Sequence, residues 1–309
     1  MKIAANISNF SGCVSRPDDL VSCIEFAGKT RFKYADMSMY GLNYAGSAIT
    51  GPNWRGWAEK IGEAAQRENI KLIQAHSLDG AYDEGERREY TVELIKRQIE
   101  MCGMLNIPQI VVHNVMKLGN TWKQQRETNR GFFNSLTDAA EKHNIMILLE
   151  NGCFQNSRGM YYYTTAENLL TTIADLGFHP LFNVCWDTGH AHMQGADQYS
   201  EILELGERLK GLHVHDNYAD RDTHSMPFTG SCGYDAIIKG LLKIGYGGFF
   251  TSEAYSISPA SFAQRPGYEK KGGESEKLID MPPEIMIQSE NLTYEIAKYM
   301  LSQYDCFEE

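Results

Sequence analysis

Four apolar runs in this chain end on a side chain able to bind a cation, and they do so at a constant interval. LIQAH ends at His76, IVVH at His113, ILLE at Glu150 and CWD at Asp187, each 37 residues after the last. An interval of that length holds one strand, one helix and two loops. Strands joined in this way run parallel and bring their last residues to one rim. No internal sequence repeat accompanies the interval, so its origin is architectural. Two later runs close in the same manner, LHVH at His213 and His215 and FFTSE at Glu253.

The intervening segments fit this plan. Strands are expected at 3–7, 35–40, 72–76, 110–113, 145–151, 183–186, 209–217 and 247–255. Helical spacing is present from Asp18, over 57–68, over 87–105 with Leu94, Ile95, Ile99 and Cys102 on one side, and over 121–143 with Phe132, Phe133 and Leu136 as the stripe. It returns at 166–176, 198–209, 236–244 and 284–301. Eight strands alternating with eight helices predict an α/β chain folded as a single (β/α)8 TIM barrel, one domain over 1–309. A polar segment at 256–283, after the eighth strand, is too long for a routine connection and is expected to act as a lid or subunit contact.

Charge narrows the partners. The formal net charge is −11, from 40 acidic and 29 basic residues, and no run of Lys or Arg exceeds two. A phosphate-tracking surface needs clustered cations, so nucleic acid is disfavoured. The seven cysteines form no CxxC pair and suit reduced thiols. With no apolar leader and no run of roughly 18 apolar residues, the expectation is a cytoplasmic protein without a membrane partner.

The expected rim carries the chemistry. Glu150, Asp187, His213 and Glu253 offer three carboxylates and one imidazole, a largely oxygen donor set that suits Mn, Co or Mg and also accepts Zn. None of the cysteines stands at these positions, which argues against a dedicated structural zinc site. Moving a proton beside a carbonyl needs a base, an acid and a cation to stabilise the enediolate oxygen. Glu150 and Glu253 are placed to be that acid/base pair. Return of the proton to the opposite face gives an epimer, and transfer to the adjacent carbon gives an isomer.

In this order and at these strands, LLEN, WDTGHA, HVHDN and SEA resemble the xylose isomerase-like barrel superfamily of sugar isomerases, sugar epimerases and endonuclease IV. The similarity runs from about residue 1 to 301 and is strongest to the sugar phosphate isomerase/epimerase group. It implies a small carbohydrate substrate, one divalent metal on Glu150, Asp187, His213 and Glu253, a substrate contact from His190, and the homo-oligomers common in that group. His76, His113 and His224 are further substrate contacts in this reading. The same His76, His113, His190, Asp222 and His224 also resemble the extra ligands of endonuclease IV, which implies additional zinc. Two alternatives therefore stand beside the sugar isomerase or epimerase. One is a zinc phosphodiesterase acting at abasic DNA sites, and the other is a keto-polyol dehydratase on the same scaffold.

Other candidates receive plainer readings. His143 and His179 are expected at the surface. His192 and His215 are divided between metal neighbours and hydrogen-bond supports. The adjacent tyrosines 161–163 are expected to pack on the rim, and Trp54, Trp57, Trp122 and Trp186 to pack or to offer a sugar-stacking face.

Overall fold

The computed structural model describes residues 1–14, 16–78, 85–117, 119–153, 162–254 and 282–309. The segment 256–283 expected to act as a lid lies outside the described residues, apart from its last two, as does Tyr161. The strands are β1 (Lys2–Asn6), β2 (Tyr34–Ser38), β3 (Lys71–His76), β4 (Gln109–His113), β5 (Met146–Glu150), β6 (Phe182–Asp187), β7 (Leu209–His213) and β8 (Phe249–Ser252). All neighbouring pairs are parallel, in the order β7-β6-β5-β4-β3-β2-β1-β8. The remaining gap is bridged just past β7, where Val214 N donates to Thr251 O at 2.8 Å and Glu253 N to Val214 O at 3.0 Å. The molecule is a single (β/α)8 barrel, as the spacing of strand ends predicts.

Around it, among the described residues, lie α1 (Leu20–Gly28), α2 (Trp54–Arg67), α3 (Gly85–Met104), α4 (Trp122–His143), α5 (Ala166–Asp175), α6 (Thr188–Met193), α7 (Gln198–Leu205), α8 (Tyr234–Lys243) and α9 (Pro283–Ser302). Their ends are fixed locally. Thr121 and Gln124 form a reciprocal capping box at the start of α4, which satisfies two backbone donors the helix cannot. α2, α3 and α4 each stop at an asparagine in the left-handed region, Asn69, Asn106 and Asn144, with φ of 55°, 55° and 54°. The next residue is isoleucine each time, and its N–H returns to a carbonyl five residues back: Ile70 to Ala65, Ile107 to Cys102, Ile145 to Ala140. This is the Schellman closure. The isoleucines are buried and stand one or two residues before the following strands.

Helix stripes pack on the outward strand residues to make the main core, while Val111, Leu148 and Cys185 form a small apolar plug inside the barrel. Gly211 is needed in that interior, since a Cβ there would lie 2.5 Å from Gln74 Oε1 and 2.7 Å from Leu148 Cδ1. In two places the elements differ from those expected. Ile7 opens a 3-10 helix and does not close β1. Between the strand expected at 183–186 and the helix expected at 198–209 a further short helix, α6, intervenes, because the Asp187 carboxylate accepts from His190 N and caps it.

Candidate functional site

Alternation along the strands turns His76, His113, Glu150, Asp187 and His213 into the barrel mouth, at the C-terminal ends of β3 to β7, where a barrel of this kind gathers its chemistry. Glu253 follows β8, His190 sits on α6, and Asp222 and His224 lie in the loop after β7. All nine residues named from the sequence are thus at one end of the molecule. Asparagines after the strands tie neighbouring ends together: Asn114 Nδ2 donates to Glu150 O at 3.0 Å, Asn151 Nδ2 to Asp187 O at 2.9 Å, and Asp187 N to Asn151 Oδ1 at 2.7 Å.

Donor atoms meet in overlapping sets. Glu150, Asp187, His213 and Glu253 each bring one such atom within 4.8 Å of the others, and all four are buried. His213 Nδ1 is 2.5 Å from Glu150 Oε1 and 3.4 Å from Glu253 Oε2. Glu150 is shared with a second set, its Oε2 lying 2.7 Å from His113 Nε2 and 3.3 Å from His76 Nε2. The third set is His190, His215, Asp222 and His224. Asp222 Oδ2 is 3.2 Å from Nε2 of both His190 and His224, and His215 Nε2 joins this set to the first, 3.0 Å from Asp187 Oδ1. That close approach depends on Gly189, where a Cβ would fall 2.0 Å from the His215 ring.

Ligand atoms about 2.0–2.1 Å from a tetrahedral ion are about 3.3 Å from one another. The distances across these sets fall around that value, and Asp222 Oδ1 is buried with no hydrogen-bond partner among the described residues. The donor chemistry and this orphaned oxygen fit a cation. Supports behind the ring nitrogens point the same way. His76, His190 and His224 each place Nδ1 2.9 Å from a backbone carbonyl, those of Ser77, Asn151 and Glu253. A carbonyl only accepts, so Nδ1 carries a proton and Nε2 is the nitrogen turned to the mouth, the one that would bind an ion.

Electrostatics couple the groups. Burial would raise the Glu150 carboxyl, but the His213, His113 and His76 rings hold it well below its ordinary range. Burial acts likewise on Asp222, and His224 and His190 overcome it, holding the carboxyl well below that range. His224 is in turn pushed up to about 9, against its burial, by Asp222, Glu253 and Asp187.

Sequence reasoning missed several participants. Asp36 on β2 is fully buried with Oδ2 2.9 Å from His213 Nε2, Gln74 lies 3.0 Å from the same nitrogen, and Asn6 donates to Glu253 Oε1 at 2.9 Å. The available signal was a lone acid inside the apolar run ADMSMY. Tyr40, half exposed, sets its ring against His76 and His113 at 5.5 and 5.6 Å. His192 is not drawn in and bonds Ser231 Oγ at 2.9 Å. Trp54 and Trp186 are core residues, and His179 pairs with Glu141 on the outer face. Tyr163 is buried and bonded to Asn129.

Known proteins with similar sequences include an uncharacterized protein, probable endonucleases 4 and a ketose 3-epimerase. The uncharacterized protein y4fM of Sinorhizobium fredii is 30% identical over 193 residues, 58% of each chain. A probable endonuclease 4 of Acholeplasma laidlawii is 27% identical over 167 residues, 50% of this chain and 56% of the relative. A ketose 3-epimerase of Arthrobacter globiformis is 25% identical over 174 residues, 54% and 56% of the two chains. The chain therefore spans a little over half the length of these curated relatives. Among solved structures, a D-tagatose 3-epimerase-like protein superposes with a TM-score of 0.66 at 21% identity, covering 85% of this chain and 94% of that one. A family model described as a xylose isomerase-like TIM barrel matches residues 23–273, and the chain belongs to that family.

Proposed function

We propose that this protein is a divalent-metal-dependent isomerase or epimerase of a small sugar, keto-sugar or sugar phosphate. The observation that carries the reading is the buried tetrad of Glu150, Asp187, His213 and Glu253, whose donor atoms converge within 4.8 Å at the barrel mouth. These four residues would hold one Mn, Co, Mg or Zn ion, which when bound supplies Lewis-acid polarisation of a carbonyl. Glu150, ending β5, and Glu253, just past β8, are separated around the rim by β6 and β7 and take and return the proton at the sugar carbon. His76, His113, His190 and His224 contact substrate hydroxyls. The ketose 3-epimerase relative supports the sugar class. The seven free cysteines suit a reducing cytoplasm.

A second reading, a zinc phosphodiesterase acting at abasic DNA sites, is favoured by one specific observation. Two further donor sets, His76/His113/Glu150 and His190/His215/Asp222/His224, adjoin the first, and a probable endonuclease 4 is among the relatives. The net charge of −11 weighs against a duplex substrate. Elemental analysis of the purified protein, paired with activity assays, separates the readings. About one equivalent of Mn, Co or Mg, together with exchange of solvent hydrogen into a ketohexose such as D-tagatose, is the expected result. Two or three zinc ions with cleavage of an abasic duplex would replace it with the phosphodiesterase, and loss of water from a keto-polyol would make the protein a dehydratase.

A further inference from the structure

Beneath the mouth, a chain of side-chain hydrogen bonds has a direction that is readable from its far end. The Lys210 carbonyl only accepts, so the atom 3.3 Å from it is the amide nitrogen of Gln109. That nitrogen also donates to Gln74 Oε1 at 2.9 Å. The Gln74 amide nitrogen is thereby turned toward Asp36 Oδ2, at 2.7 Å, and His213 Nε2, at 3.0 Å. His213 Nε2 has two rival neighbours: a carboxylate that only accepts, 2.9 Å away, and an amide group that only donates.

The carboxylate wins on strength. A charge-assisted hydrogen bond is about twice as strong as a neutral one. A ring lone pair held against Asp36 would also leave two buried acceptors facing each other, in a place where both residues are wholly enclosed. With an ion on the tetrad the ring proton would therefore sit on Nε2, leaving the Nδ1 lone pair for the ion beside Glu150 and Glu253; with the tetrad empty, Nδ1 is 2.5 Å from Glu150 Oε1 and by the same rule carries a proton as well. The arrangement with the ion is the reverse of His76, His190 and His224, which carry a proton on Nδ1 against backbone carbonyls. His213 differs from them in having a buried carboxylate behind it.

We propose that Asp36 is a positioning residue that fixes which nitrogen of His213 faces the cation site, by outcompeting Gln74 for Nε2. The proposal rests on the metal reading above. Without Asp36, Gln74 donates to Nε2, the ring proton moves to Nδ1, and the lone pair that would bind the ion is lost.

Cobalt affinity, measured by chelator competition and visible absorption, tests this without an activity assay. His213→Ala identifies which cobalt belongs to the tetrad. Asp36→Leu is expected to weaken that ion about 10–100-fold, Asp36→Asn less, because an amide oxygen still accepts from Nε2, and Gln74→Leu hardly at all. In the zinc-loaded protein, the downfield His213 ring N–H resonance should be present in the wild type, shifted in Asp36→Asn and absent in Asp36→Leu. If Asp36→Leu does not fold, Asp36→Asn decides through both readouts. Wild-type affinity and an unmoved resonance in the Asp36 variants would overturn the proposal alone. A wild-type protein that binds no cobalt, or a His213→Ala variant that binds it equally well, would instead overturn the metal reading.

Discussion

Glu150 is the most heavily shared residue of the mouth, since its two oxygens face His213 on one side and His76 and His113 on the other. Replacing it with glutamine removes a charge from two donor sets and a proton acceptor from the proposed reaction. Glu150→Gln and Glu253→Gln should each lower hydrogen exchange into a ketohexose by about 10²–10⁴-fold. His143→Ala should stay near wild type, because His143 packs under Gly103 at the end of α4. Comparable rates in all three variants, read by deuterium uptake, would remove the acid/base pair. These residues were legible because a parallel barrel exposes strand ends, and Glu150, Asp187 and His213 are the last residues of theirs. Asp36 was not, because it sits mid-strand, and only three-dimensional packing reveals that its inward side chain reaches His213 from β2. His190, read as a substrate contact, and His192, divided between metal neighbour and support, part ways for a related reason. Two residues apart on a strand or turn they could share a target, but on α6 they point to different sides, one to Asp222 and the other to Ser231.

At the level of elements, the recurring Asn-Ile step after α2, α3 and α4 shows how the barrel keeps its period. The asparagine takes the left-handed conformation that ends the helix, and the buried isoleucine aims the chain into the next strand. Left-handed backbone costs most residues about 1–2 kcal/mol, asparagine less and glycine least. Asn144→Ala should thus destabilise the fold by about 1 kcal/mol, while Asn144→Gly should be neutral within a few tenths or slightly stabilising. Urea unfolding of the two variants checks this, and equal losses from both would show that the Asn144 side chain, not its backbone, matters. Strands and long helices were readable from the sequence because apolar periodicity reports burial directly. The short α6 was hidden because Asp187 does two tasks, ending β6 and capping the next helix through His190 N. A sequence run of WDTGHAH gives no periodic stripe by which a six-residue helix could be seen.

For the whole molecule, the barrel begins and ends against itself. α9 lies against the 3-10 segment Ile7–Cys13 after β1, and between them Asn9 Nδ2 donates to Glu290 Oε2 at 3.0 Å. Both side chains are wholly buried, and Glu290 Oε1 and Asn9 Oδ1 are left without partners. Burial pushes the Glu290 carboxyl up to about 8, despite the Asn9 hydrogen bond that favours its charged form. The folded state therefore holds a proton that the unfolded chain releases near its ordinary value of 4.5. Between those values folding binds more protons than unfolding, so this residue's contribution is complete below about pH 4.5 and falls as pH rises toward 8, by up to about 5 kcal/mol. Above pH 8 the folded protein has also lost the proton and the loss levels off. Glu290→Gln keeps the shape and replaces the donor O–H of the protonated acid with an amide N–H, but cannot ionise. Guanidinium unfolding at pH 5 to 9 should show wild type losing stability relative to Glu290→Gln with each step up to about pH 8, then running parallel to it. Parallel curves across the whole range would mean that the carboxyl is solvated in the folded state and that α9 is not held against β1 by a protonated, buried group.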